Sequence, residues 1–176
     1  MDHTKPSLKE YGVVQTNLDP LIERVRGLPK EAWEYRSDKE SYTTAALRPD
    51  SIYWKEVKDL IDEVLMTAEF YLKPGFQNRV CLSLVPAGER ILPHTDDFGQ
   101  AVRSKSIHCH IPLISHQDIK MGFGPDDTEE YHLEVGKFYS MDETIRHYVN
   151  NPSQVDRVHL LLAHWPHDGI LPLDLS

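Results

Sequence analysis

His94 and Asp96 flank Thr95, and on an extended strand residues two apart share a face, so this spacing points an imidazole and a carboxylate the same way. A second imidazole from elsewhere in the chain would complete the set of two His and one carboxylate that leaves three positions open on Fe(II). Taken alone the pattern is common. With ten His and 28 acidic residues, about 1.6 His-x-acid matches are expected by chance, and the chain has three, at His94/Asp96, His116/Asp118 and His132/Glu134. Distance along the chain separates them. In a jelly-roll site the third ligand arrives about four strands after the first pair, which with turns takes roughly 40 to 55 residues. His147 lies 53 residues beyond His94, but only 31 beyond His116 and 15 beyond His132. His116 and His132 therefore read as surface or core residues.

His147 sits in Thr144-Ile145-Arg146-His147-Tyr148-Val149, where alternation puts Ile145, His147 and Val149 on one inward face. A His among apolar neighbours is ordinarily a core residue, and that reading stays open. A hairpin centred near Pro152 would set Arg157 opposite His147 on the same face. An inward Arg is costly unless an anion meets it, and its fork of donors suits a bidentate carboxylate. That anion is either a ligand or a protein acid such as Glu143. Ser83, inside the apolar run Val80–Val85, has a hydroxyl that bonds either to a neighbouring carbonyl or to the anion held by Arg157. In Ser106–Leu113, His108 and His110 share one face and Ile107, Cys109 and Ile111 the other, so a His face is available to a cavity.

The elements that must carry these groups are short. Asp19-Pro20 opens a helix that ends at Gly27, and a longer one is expected after Pro49, with Val57, Leu60, Ile61, Val64, Leu65 and Ala68 on one face until Lys73-Pro74-Gly75. The first 75 residues or so thus read as helical. From Arg79 the period becomes extended, with runs at 79–85, 90–93, 106–113, 130–135, 137–141, 144–149 and 155–164 separated by turns. Short strands without intervening helices predict a mainly β fold, an antiparallel barrel or jelly roll at about 79–166 braced by the N-terminal helices. Residues 97–105 and 122–129 are expected to rim a pocket, with Tyr42, Tyr53 and Trp54 as possible cover.

At 176 residues with 40% hydrophobic content the chain is expected to form one domain. A formal charge of −9 argues against nucleic acid or an anionic membrane as partner. Apolar runs fall short of the ~18 residues of a membrane span, and the first residues lack the order of a signal peptide, so a cytoplasmic protein is expected. Cys81 and Cys109, each in an apolar run, read as buried thiols rather than a disulfide.

Together these segments resemble the aspartyl/asparaginyl β-hydroxylase family of Fe(II)- and 2-oxoglutarate-dependent oxygenases. The likeness rests on Leu82-Ser83-Leu84-Val85-Pro86-Ala87-Gly88 leading to Pro93-His94-Thr95-Asp96, on Cys109-His110-Ile111-Pro112-Leu113, and on His147 followed by Arg157-Val158-His159-Leu160-Leu161. It implies a double-stranded β-helix (a cupin-like jelly roll), with iron held by His94, Asp96 and His147. It also implies that Arg157 and Ser83 grip the far carboxylate of 2-oxoglutarate, with His110 near its metal-bound end. The family commonly has Arg where this chain has His108, so the metal-proximal carboxylate falls to His108 or to Arg103, or is held less firmly. The implied reaction consumes 2-oxoglutarate and O₂ and hydroxylates a C–H bond of an amino acid, a peptide or protein side chain, or a related small molecule. Arg103, Lys105 and Arg146 near the mouth would suit an acidic substrate. Two other classes stand beside it: a cupin-like metalloprotein that does not use 2-oxoglutarate, and a binding module without iron.

Overall fold

A computed structural model describes residues 8–38, 42–68, 71–72, 75–95, 107–124, 129–142 and 144–166. Helix α1 (Asp19–Arg26) starts with Pro20 in its first turn and stops at Gly27, as the sequence indicates, and buries Leu21 and Val25. Helix α2 (Lys58–Ala68) buries Ile61, Val64, Leu65 and Ala68. It begins later than the apolar spacing suggests, because a tighter 3₁₀ turn at Trp54–Glu56 precedes it. Residues three apart eclipse in that geometry, which turns Trp54 and Val57 into the same core. Tyr53 and Trp54 thus pack within the helical layer.

The N-terminal region is not only helical. Three strands lie in it: β1 (Leu8–Val13), β2 (Glu34–Asp38) and β3 (Tyr42–Leu47). The remaining strands are β4 (Gly75–Val85), β5 (Arg90–His94), β6 (Ile107–Ile114), β7 (Lys120–Phe123), β8 (Glu129–Tyr131), β9 (Lys137–Met141), β10 (His147–Asn150) and β11 (Arg157–Pro166). All of the pairings are antiparallel, in the order β1-β9-β6-β11-β4-β3-β5-β10-β7-β8, with β2 added on β3. Strand β3 joins the two halves, pairing with β4 through Ala45–Leu47 and with β5 through Tyr42 and Ile91. The result is a mainly β jelly roll.

Strand alternation feeds two cores. Leu82, Leu84, Ile111, Leu113, Phe138, Val158, Leu160 and Leu162 point outward from the larger half and pack with α1 and α2. Each such side chain, fully buried, contributes about 2 kcal/mol. Val85, Tyr139 and Met141 point the other way and meet Met121, Phe123 and Val149 of the smaller half. The two halves therefore face each other across the interior that holds the polar residues described below. Among the described residues no helix is long and apolar enough to cross a membrane, and Cys81 and Cys109 are buried and not joined in a disulfide.

The expected hairpin between His147 and Arg157 does not form. Strand β10 pairs with β5 and β7, whereas β11 pairs with β4 and β6. The connection crosses from one half of the jelly roll to the other, and Asn151 fixes that crossing. Fully buried, it places Nδ2 2.9–3.1 Å from the carbonyls of Val85, Pro86 and Val155. Its Oδ1 accepts from the backbone N–H and hydroxyl of Ser153. Asn151→Asp, which sets a carboxylate against those carbonyls, is expected to cost about 3 kcal/mol in urea unfolding. Asn151→Ser, which retains a short polar group, should cost less.

Candidate active site

Strand β5 aims His94 through an irregularity. Val149 pairs with Ile91, yet His147 pairs with His94, so β5 carries one extra residue between the two pairs. Pro93, which has no N–H to leave unpaired, lies in that stretch. The bulge brings Ile91 and His94 to the same cavity although they are three apart. The ring centroids of His94 and His147 are 4.5 Å apart. Each Nδ1 lies beside the carbonyl two residues earlier, Leu92 O at 2.8 Å for His94 and Ile145 O at 2.9 Å for His147. A carbonyl only accepts, so both Nδ1 atoms carry the proton and the lone pair of each ring is at Nε2. Phe123, 6.3 Å from His147 between ring centroids, braces that ring.

Across the cavity, Arg157 reaches the interior from β11 at 3% exposure. Among the described residues no carboxylate pairs with it, and the suggested partner Glu143 lies outside them. Its Nη2 donates to His159 Nδ1 at 2.8 Å. His159 Nδ1 also lies 3.3 Å from His110 Nδ1, with the two rings edge to face. Burial pulls the Arg157 pKa down to about 9. The guanidinium is still charged at neutral pH, but that charge is costly without an anion. Burial first, then the Arg157 charge, holds both His110 and His159 well below the ordinary imidazole range, so both are neutral.

These groups share one cavity of about 170 Å³, lined by Ser83, His94, His108, His110, His147 and Arg157 together with an apolar wall that includes Ile91, Met121, Met141 and Val149. The structure thus brings six of the residues singled out in the sequence to a single space. Asp96 and Arg103, the other two, lie outside the described residues. His116 instead meets Asp118 at 3.4 Å, and His132 lies 3.4 Å from the Ile119 carbonyl. Sequence reasoning passed over His159. Its place two residues after Arg157 on one strand, hence on the same face, is the signal that marks it.

Two buried neutral imidazoles give stability a sign in acid. Their folded pKa values lie below the unfolded value near 6.5. Below that pH the unfolded chain binds more protons, so their contribution is intact above 6.5 and lost as pH falls beneath it. Unfolding free energies from urea curves should drop from pH 7 to pH 5, by at most about 1.4 kcal/mol per pH unit for each group. His159→Asn should flatten that slope.

Two tethered imidazoles and a buried guanidinium thus line one cavity inside a jelly roll. The chain belongs to the aspartyl/asparaginyl β-hydroxylase family, whose model matches residues 11–166. That match takes in α1 and α2, which the resemblance seen in the sequence left out. No curated protein sequence matches the chain. Among solved structures, a prolyl-4-hydroxylase from Pseudomonas putida superposes with a TM-score of 0.58 at 14% identity, covering 93% of this chain and 94% of that one. The non-heme α-ketoglutarate-dependent epimerase SnoN from nogalamycin biosynthesis gives 0.64 at 13% identity, over 97% and 85%. HygX from Streptomyces hygroscopicus, solved with nickel, 2-oxoglutarate and hygromycin B bound, gives 0.60 at 11% identity, over 93% and 84%. Likeness at these identities is a likeness of fold.

Proposed function

We propose that this protein is an Fe(II)- and 2-oxoglutarate-dependent dioxygenase that hydroxylates a C–H bond of an amino acid, a peptide or protein side chain, or a related small molecule. One observation carries this reading: two imidazoles with Nε2 lone pairs and a buried guanidinium without a carboxylate partner among the described residues line one small cavity. Two imidazole donors suit a divalent first-row metal, and the positive charge suits a dicarboxylate. The family membership and the ligands named for similar folds support the same choice.

In this reading His94 and His147, with Asp96, hold the metal. Arg157 and Ser83 take the far carboxylate of 2-oxoglutarate, while His110, with His108 or Arg103, lies toward the metal-proximal end. Bound iron with 2-oxoglutarate supplies O₂ activation, coupled to decarboxylation to succinate and CO₂. The chain supplies position. Its carbonyl tethers fix both imidazoles before the metal arrives, the guanidinium fixes the ligand's direction, and the wall of Ile91, Met121, Met141 and Val149 excludes water. A space of about 170 Å³ is small beside the ~300 Å³ and upward of drug-sized pockets. It suits a five-carbon diacid, and the substrate then approaches from the mouth rather than sharing the interior.

The test needs no known substrate. Anaerobically iron-loaded protein exposed to O₂ with 2-oxoglutarate should release succinate slowly, and release at or below the level of a His147→Ala control would refute the proposal.

A further inference from the structure

Among the described residues the buried guanidinium has a neutral partner, not an acidic one. His159 is 2% exposed, on the same face of β11 as Arg157. Its backbone pairs with Ser83 across to β4, so the residue neighbours both Ser83 and Arg157 on one face of the sheet. Because Arg157 Nη2 can only donate, His159 Nδ1 at 2.8 Å accepts, which places the His159 proton on Nε2. His110 Nδ1, 3.3 Å from the same atom, must then donate as well. One imidazole lone pair thus gathers two donors and fixes the orientation of both.

We propose that His159 is a positioning residue that sets the direction of the Arg157 guanidinium while leaving its charge unneutralised for the far carboxylate of 2-oxoglutarate. The inference rests on the 2-oxoglutarate reading above. A carboxylate in the place of His159 would orient the guanidinium equally well but would satisfy its charge and compete with the ligand. An apolar residue would leave the guanidinium free to take other rotamers, and ordering it would then be charged against binding. A neutral acceptor does neither.

Binding, not turnover, is the readout. Calorimetric titration of the Mn(II)-loaded protein compares 2-oxoglutarate with 2-oxopentanoate, which has the same carbon chain but no far carboxylate. His159→Leu is expected to weaken 2-oxoglutarate about tenfold or more, the scale of a lost hydrogen bond to a charged group, with 2-oxopentanoate unmoved. His159→Asn, whose Oδ1 stands close to the imidazole Nδ1 position, should recover affinity to within about threefold of wild type, and His159→Asp should not. Equal weakening of both ligands by His159→Leu would show a merely structural role and overturn the inference, as would no weakening at all. If the leucine variant does not fold, the Asn and Asp variants decide: distinct 2-oxoglutarate affinities support the inference, and equal ones refute it. Wild-type protein that binds no 2-oxoglutarate overturns the underlying functional reading and this inference with it. Wild type that binds, with His159 variants unaffected, overturns this inference alone.

Discussion

His147→Ala is expected to remove metal binding and lower succinate formation at least a hundredfold (~10²), the upper end of losses seen for groups that only orient a metal ligand and therefore a floor for a ligand itself. The expectation follows from the tethered ring. Its Nδ1 proton is committed to Ile145 O, so the lone pair at Nε2 is the only donor His147 can offer a metal. The competing reading, a core histidine among apolar neighbours, predicts a different pattern. His147 is 5% exposed and packs on Phe123, so if packing were its role, alanine would act mainly on stability, with a cavity cost of about 2 kcal/mol or more. Calorimetric titration with Mn(II) beside a urea unfolding curve separates the two. Lost metal affinity with a small stability change favours a ligand, and retained affinity with a large stability change favours the core.

Replacing Arg157 by methionine should stabilise the ligand-free protein while abolishing its response to 2-oxoglutarate. A charged group whose partner among the described residues is neutral is expensive to bury, and exchanging buried charges for apolar groups of similar volume commonly gains about 1–4 kcal/mol. The gain here should lie toward the lower end, because His159 Nδ1 loses one donor yet keeps His110. The same exchange removes the charge that meets the far carboxylate, a loss of roughly 2–5 kcal/mol in binding, or about 30- to 5,000-fold in dissociation constant. Wild type should therefore gain urea stability when 2-oxoglutarate is added and the variant should not. A variant that is less stable without ligand would mean that Arg157 is held by a protein acid. A variant fully active without 2-oxoglutarate would favour a cupin-like metalloprotein instead.

Much of this was legible in the residues because the chemistry imposes spacing. Pro20 suits the first turn of α1 and Gly27 falls at its end, and the 53 residues from His94 to His147 match the path through β6, β7, β8 and β9. What could not be read depends on partners distant in the chain. Strands β2 and β3 carry no strong alternation and exist because they pair with each other and with the edge of β4. The bulge that turns His94 inward is set by the register of β10, not by the composition of β5. The 151–156 connection is short enough for a hairpin, and it crosses between halves with the Asn151 side chain claimed by Val85 and Pro86 at the end of β4. Even so, Arg157 faces the cavity with His147, since the two halves of a jelly roll look at each other.

The central claim is that groups remote in sequence hold one metal and one diacid. A crystal structure of the protein with Mn(II) and 2-oxoglutarate tests it most directly. The expected result is Mn(II) on Nε2 of His94 and His147 and on the Asp96 carboxylate, with the far carboxylate of the diacid on Arg157. Metal bound elsewhere, or a diacid that leaves Arg157 untouched, would contradict it.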